Sequence, residues 1–295
     1  AWGYLPEAGN PGPTEPGTAR IARFATANHY DGLRRVLGDV ATALRADGHQ
    51  AEPMADDNRL VDRAAAVRAG VGWWGKNTMV LAPRAGPWLL LGSVVTDAKL
   101  PVSEPMVRDC GTCDACLPAC PTGALVAPGV LDARRCLAYW LQAPGVIPYE
   151  LRRAIDDRIY GCDDCLEACP PGGRLLAGST AARGRTDLLE LLGTDDATLL
   201  DRYDHWYIPR RQPRYLRRNA LVALGNAGGP QAAAVAAGFL SHPDWLLRAH
   251  AAWAVGELGD ELAVAVLDAG AAGENHPEVQ TEIAQAREVA TAGLR

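Results

Sequence analysis

Two stretches carry the reading: CGTCDACLPACPTGAL, Cys110 to Leu125, and YGCDDCLEACP, Tyr160 to Pro170. The first spaces its cysteines as Cys110-x2-Cys113-x2-Cys116-x3-Cys120, with Pro121 directly after. The second repeats the end of that run as Cys162-x2-Cys165-x3-Cys169-Pro170, but Ile159 stands where its first cysteine would be. Cys136 is the one cysteine outside both, and all eight lie between 110 and 169. A secreted disulfide protein of 295 residues would scatter them. Their confinement points instead to metal ligation in a reducing, cytoplasmic compartment.

The spacing is that of the bacterial ferredoxins. Three thiolates separated by two residues wrap one [4Fe-4S] cubane, and the fourth, held before a proline, reaches a second one. Applied to both runs, with Cys136 filling the gap, the rule predicts one cluster on Cys110, Cys113, Cys116 and Cys169. The second then takes Cys120, Cys136, Cys162 and Cys165, with no cysteine left over. Zinc also binds paired C-x2-C motifs, but it seldom uses the interleaved run twice. Two clusters in series imply electron transfer to another group or to a partner.

Outside the cysteines the composition is ordinary: 48% hydrophobic and 22% charged residues exclude a disordered chain or a fibre. The longest apolar run, Trp88 to Val95, is broken by Gly92 and Ser93 and is too short to cross a bilayer. Residues Ala1 to Gly17 hold four prolines and lack the basic start and apolar core of a signal peptide. The net charge of -6 argues against a wholly basic nucleic-acid binder. The basic residues are nearly all arginine, Lys76 and Lys99 being the only lysines.

Leu33, Val36, Leu37, Val40 and Leu44 recur at helical spacing over 31–47, and Gly48 ends the run. A second helix is predicted from Leu60 to Ala69, with Asp56, Asp57 and Asn58 available to cap it. Gly70 to Asn77, GVGWWGKN, reads as a glycine-punctuated loop, followed by a hairpin of Thr78 to Ala82 and Trp88 to Thr96 around the turn PRAGP. This alternation predicts an α/β unit. Gly172 to Arg185 reads as a linker, and the remainder as helical. There LRRNALVALG, Leu216 to Gly225, is echoed 31 residues later by LRAHAAWAVG, Leu247 to Gly256, and a third helix pair is expected near Pro277. A helical-hairpin period of this length is that of HEAT-like solenoids. The predicted domains are therefore 1–104, α/β; 105–178, ferredoxin-like with two [4Fe-4S] clusters; and 186–295, an all-α HEAT-like repeat.

The motifs also occur in a particular order: VDRAAAVRAGVGWWGKNT (Val61 to Thr78), GSVVTDAKLP (Gly92 to Pro101), the two cysteine runs with LDARRCLAYW (Leu131 to Trp140) between them, and RRNALVALGN (Arg217 to Asn226). Together they closely resemble the epoxyqueuosine reductase family over nearly the whole chain. The resemblance implies an oxidoreductase of queuosine biosynthesis that reduces epoxyqueuosine in the anticodon loop of tRNA to queuosine. It implies two [4Fe-4S] clusters, a cobalamin, a HEAT-like C-terminal domain and an external electron donor. Members extend upstream of the point matching Ala1, so the resemblance implies that 1–104 is a partial cobalamin-binding domain, in a monomer.

By position in the family motif, Asp56, six residues before the Asp62-Arg63 pair, matches the aspartate that protonates the departing oxygen and lies against the cofactor. Asp57 is its rival, and helix capping is the plainer role for both. Gly75, Lys76 and Asn77 match the part of the family that lies against the corrinoid. Tyr30 falls where the family has Asp-Tyr-His, but here His29 and Asp31 are exchanged, so a packed or capping role is expected for them. Read on its own, HWYIPRRQPRYLRR, His205 to Arg218, gathers Arg210, Arg211, Arg214, Arg217 and Arg218 with no acid, interleaved with Trp206, Tyr207 and Tyr215. Arginines meet phosphates and aromatics stack on unpaired bases, so this stretch is the expected tRNA surface. Two other functions compete: a corrinoid reductive dehalogenase-like enzyme, which has no use for the basic helical tail, and a two-cluster electron carrier, which would bind no corrinoid.

Overall fold

The computed structural model describes residues 1–4, 15–176, 184–259 and 262–293. The chain divides into two compact units, each built from separated segments. The first comprises Ala1–Asn10, Arg23–Ala133 and Asp163–Ala182; the second Pro11–Ala22, Arg134–Cys162 and Arg183–Arg295. Most of the lead-in over 1–17 and half of the linker expected over 172–185 fall outside the described residues. No helix among the described residues is long and apolar enough to cross a membrane.

In the first unit the predicted helix spans His29–Ala46. Its buried stripe is narrower than the periodicity suggests: Leu33 and Ala41 are buried, while Val36 and Val40 stay exposed. The helix packs chiefly on a sheet only two strands wide, Ala51–Ala55 antiparallel to Gly92–Thr96, which covers one side of it. The expected hairpin does not form. Val80–Leu81 pairs backwards with Trp73–Trp74, inside the stretch read as a loop, and Leu89–Leu90 pairs with Trp2–Gly3. PRAGP is nevertheless a turn, closed by a bridge between Ala82 and Gly86. Tyr4, Leu33, Trp88, Leu90 and Leu166 form one core, with Met79, Tyr30 and Cys165 packed against it. Leu166 lies between Cys165 and Cys169 of the second run, so this core fastens the strand region to that run. The short helices Cys116–Ala119 and Asp164–Glu167, one from each run, lie against each other.

The helix expected over 60–69 is Asp62–Arg68, and neither Asp56 nor Asp57 caps it: its N-cap is Val61, with no side-chain cap. The capping expectation fails because Asp57 turns to Arg59 instead, accepting from its backbone N–H at 2.9 Å and from its guanidinium at 2.6 Å.

The second unit has a three-stranded sheet centred on Thr18–Ile21, with Arg158–Tyr160 parallel on one side and Arg185–Asp187 antiparallel on the other. Asp187 and Asp195 cap the helices Leu188–Gly193 and Asp196–Arg202 by accepting from Glu190 N at 2.7 Å and Thr198 N at 3.0 Å. The tail is a stack of helices whose long members are Arg214–Ala227, Trp245–Leu258 and Pro277–Gly293. The third begins at the expected proline. The repeated glycine has a packing cause. A Cβ on Gly225 would lie 2.7 Å from the Trp253 ring and 3.0 Å from Ala254 Cα, and one on Gly256 would lie 2.8 Å from Ala286 Cα. Each repeat thus uses its glycine where the next helix crosses closest.

Candidate functional site

Four of the eight cysteines converge in the first unit. Cys116 is buried, and its thiol is pushed up by that burial and by Cys110 and Cys113. The Cys169 thiol is pushed up to about 11, first by burial and then by Cys110, Cys116 and Cys113, against an opposing backbone N–H from Gly172. Cys116 and Cys169 are both pushed up by the thiols beside them, a grouping that wants a positive centre, and Lys76 already pulls Cys116 the other way. Among the described residues, no three His, Cys, Asp or Glu close to the spacing of one ion. A cubane spreads its four ligands wider than a single ion does. Cys120 has a different environment. Burial raises its thiol, but this is outweighed by N–H groups of Leu125, Ala124 and Thr122 and by the Thr122 hydroxyl, so its net shift is downward. The Ala124 N–H lies 3.2 Å from its Sγ. Cys165 belongs to the first unit with Cys120, while Cys136 and Cys162 lie in segments of the second.

The stretch Gly70 to Asn77 is built around the converging thiols. Its strand pairing brings Gly72 so close to Leu81 that a Cβ there would lie 2.2 Å from the Leu81 carbonyl oxygen, which only glycine avoids. The Gly75 N–H donates to the Met79 carbonyl at 2.8 Å, closing the turn. Asn77 is buried and its amide is used at both ends: Nδ2 donates to the Cys165 carbonyl at 3.3 Å, and Oδ1 accepts from Met79 N at 3.1 Å. Lys76 Nζ donates to the Gly111 carbonyl at 2.8 Å, between Cys110 and Cys113. The Trp73 ring packs with Leu81, Cys169, Cys110 and Met106, and the Arg108 guanidinium lies 4.3 Å from its centroid.

These contacts test both implied cofactors. An iron–sulfur cluster fits: four thiols are grouped, and beside them the buried Trp73 Nε1 has no acceptor among the described residues. For a corrinoid the side chains expected to hold it offer less: Gly75 has none, Asn77 keeps one N–H beyond its bond to Cys165, and Lys76 keeps two beyond its bond to Gly111. Lys76 and Asn77 also hold the cysteine loops.

Asp56 lies just beyond strand Ala51–Ala55, exposed and in a left-handed conformation at φ 55°, which is uncommon for a non-glycine residue. Among the described residues its side chain makes no hydrogen bond or ion pair. Asp57 differs: hydrogen bonds from Arg59 hold its carboxyl down at about 2. Asp62, used in the sequence only to set the register, is a further member of the group. Its Oδ1 is buried without a partner, and burial raises its carboxyl, with Asp56 and Asp57 adding to the effect. Tyr30 completes the cluster, its hydroxyl pushed up to about 12 by burial and then by Asp56 and Asp62. The sequence signal for Asp62 was available, since it sits at the N-terminus of its helix without capping it. His29 stacks on Tyr4 at 5.3 Å, a packed role as expected, whereas Asp31 is exposed and pairs with Arg34 rather than packing or capping.

The arginine stretch separates by burial. Arg218 is fully buried and donates to the carbonyls of Trp140, Ala143 and Gly145 and to Asn219 Oδ1. It braces the interior and cannot face a phosphate, which corrects its assignment to the tRNA surface. Arg217 is held by the Thr194 carbonyl and Asp196, and Arg214 by Asp244 at 2.7 Å. Trp206 and Tyr215 are buried, Trp206 being stacked between Tyr160 and Tyr203. The residues left exposed are Arg210, Arg211 and Tyr207. Arg211 Nη2 donates to the Leu200 carbonyl at 2.7 Å. Arg210 is without a partner among the described residues, at φ 52°.

Residues 109–172 match the family model described as a 4Fe-4S double cluster binding domain, and residues 208–287 match HEAT repeats. An epoxyqueuosine reductase of Vibrio cholerae is 37% identical over 226 residues, covering 72% of this chain and 61% of the relative. That of Aliivibrio fischeri is 34% identical over 251 residues, covering 82% of this chain and 68% of the relative. A crystal structure of epoxyqueuosine reductase with an epoxyqueuosine-modified tRNA-Tyr stem loop is 29% identical, with a TM-score of 0.88, covering 98% of this chain and 80% of that one. The chain thus spans about three fifths to two thirds of the length of these curated relatives. With a shared fold, the cysteine framework and this identity together, the chain belongs to the epoxyqueuosine reductase family.

Proposed function

We propose that this chain reduces the epoxide of epoxyqueuosine in the anticodon loop of tRNA to the cyclopentene of queuosine. The observation that carries the reading is a single unit holding both a group of four converging thiols and an exposed carboxyl group at Asp56 with no partner among the described residues. The reaction breaks the two C–O bonds of the epoxide, forms a C=C bond and releases the oxygen as water, so it consumes two electrons and two protons. Two [4Fe-4S] clusters, on Cys110, Cys113, Cys116 and Cys169 and on Cys120, Cys136, Cys162 and Cys165, would supply the electrons singly from an external donor. Asp56 gives a proton to the departing oxygen as its bond to carbon lengthens. Asp62 and Tyr30, both pushed up by burial and by Asp56, lie beside it. The family resemblance supports cobalamin as a further component.

The ligand sets predict an outcome that runs against sequence order. Cys169→Ser and Cys110→Ser should abolish the same electron paramagnetic resonance signal and remove about half the iron, while Cys120→Ser abolishes the other. Cys120 and Cys110 on one cluster would sink the assignment.

The relative solved with a tRNA stem loop supports tRNA as the substrate, with Arg210, Arg211 and Tyr207 as the contacts on this surface. Arg210→Ala and Arg211→Ala should each weaken stem-loop binding. Each lost phosphate contact should make the slope of log affinity against log salt shallower by about 0.7–0.9. Unchanged slopes in folded variants would place the tRNA surface elsewhere.

The deciding experiment incubates the anaerobically reconstituted chain, with and without cobalamin, with an epoxyqueuosine-containing stem loop and a strong one-electron donor. Mass spectrometry should show loss of one oxygen from the nucleoside. A cluster-loaded chain that binds the stem loop but leaves the epoxide intact with cobalamin present would overturn the reading. A chain that takes up electrons and binds no tRNA would be the electron carrier instead.

A further inference from the structure

The indole of Trp73 is 4% exposed, and its Nε1–H finds no acceptor among the described residues. A buried N–H left unmade costs about 1–3 kcal/mol, so such a group usually marks a partner that is absent from the bare chain. The ring's neighbours narrow the partner down. Leu81 offers no acceptor, Met106 only a weak thioether, and the Arg108 guanidinium over the ring is a donor. The other members of this apolar cluster are Cys110 and Cys169, and neither thiol reaches Nε1 at hydrogen-bond distance. Sulfurs brought in and charged by cluster assembly are the acceptors this site lacks.

We propose that Trp73 Nε1–H donates a hydrogen bond to a sulfur of the cluster held by Cys110, Cys113, Cys116 and Cys169, and that this bond raises that cluster's reduction potential. The inference rests on the ligand set proposed above. A hydrogen bond to sulfur stabilises the more negative, reduced cluster, and such bonds are among the factors that set cluster potentials. Arg108 on the ring and Lys76 on Gly111 add positive charge beside the same quartet.

The test uses two variants of the full chain, reconstituted anaerobically. Trp73→Phe removes the N–H and part of the ring. Replacing Trp73 by 3-benzothienylalanine exchanges the N–H for sulfur and keeps the ring's size and stacking. Iron and sulfide are counted first, then the potential of each cluster is titrated by electron paramagnetic resonance, and Fe–S stretching frequencies are compared in H2O and D2O by resonance Raman spectroscopy. The expected result is full cluster content in the isosteric variant. One of the two potentials is lower and the other unchanged, and the deuterium shift is smaller than in the parent. Equal potentials and equal deuterium shifts in a fully loaded isosteric variant would overturn the proposal. Cluster loss in Trp73→Phe alongside an unaltered isosteric variant would overturn it too, leaving Trp73 a packing residue. A parent chain that takes up no iron would overturn the ligand set, and this inference with it.

Discussion

Asp56→Asn should leave iron and sulfide content unchanged while lowering turnover of epoxyqueuosine-containing tRNA by on the order of 10² or more, the usual loss when a general acid is removed. The substitution keeps the shape and deletes only the transferable proton. The environment decides between Asp56 and its neighbour. Asp57 is ion-paired with Arg59, which holds its carboxyl down at about 2 and makes it the poorer proton donor. Asp56 is exposed and unpartnered, and it sits in a backbone conformation that an aspartate adopts more readily than most residues. Asp57→Asn should therefore cost far less than Asp56→Asn, and its effect should be the loss of the Arg59 pairing. Steady-state rates on the stem loop, with binding measured separately, provide the comparison. If Asp57→Asn proves the more damaging, the acid is Asp57 and the register of the family motif on this chain is shifted by one residue.

Arg218→Ala should destabilise the second unit by about 3–5 kcal/mol, the range for stranding buried polar partners and opening a cavity. Its guanidinium satisfies three carbonyls in the segment 140–145, and Asn219 next to it holds the carbonyls of Leu141 and Ile159 at 2.8 and 3.0 Å. These are the stretches that follow Cys136 and precede Cys162. One repeat helix therefore braces two cysteine-bearing segments, and the loss should extend to the iron carried by the cluster they serve. Arg210→Ala is the control: an exposed, unpartnered arginine should change stability by no more than about 0.5 kcal/mol. Denaturant midpoints and iron content of the two variants measure the difference. Equal stability would mean that the carbonyls around Arg218 find water or other donors.

Cysteine ligation was legible in the sequence because ligand spacing is a local covalent property. Three thiols separated by two residues can wrap one small cluster whatever the rest of the chain does, and a proline after the fourth directs it away. The repeat was legible for a related reason: each helix pair buries its face against the next, so the period, with its glycine at the closest crossing, is written once per unit. The family followed from the order of these motifs. Strand pairing was not legible. Ala51–Ala55 carries Pro53 and little β-branched character, and becomes a strand because Gly92–Thr96 lies beside it. The expected hairpin failed because Leu89–Leu90 found Trp2–Gly3 and Val80–Leu81 turned back on Trp73–Trp74, partners that a local pattern does not name. Burial decided the rest. Five arginines look alike in the sequence, yet tertiary packing turned Arg218 inward, paired Arg214 and Arg217, and left Arg210 and Arg211 at the surface. It also separated Asp56 from Asp57 through one arginine and set an unsatisfied indole N–H against two thiols. Charge, spacing and period belong to the chain itself, whereas protonation and access depend on which distant atoms displace water, and folding alone determines that.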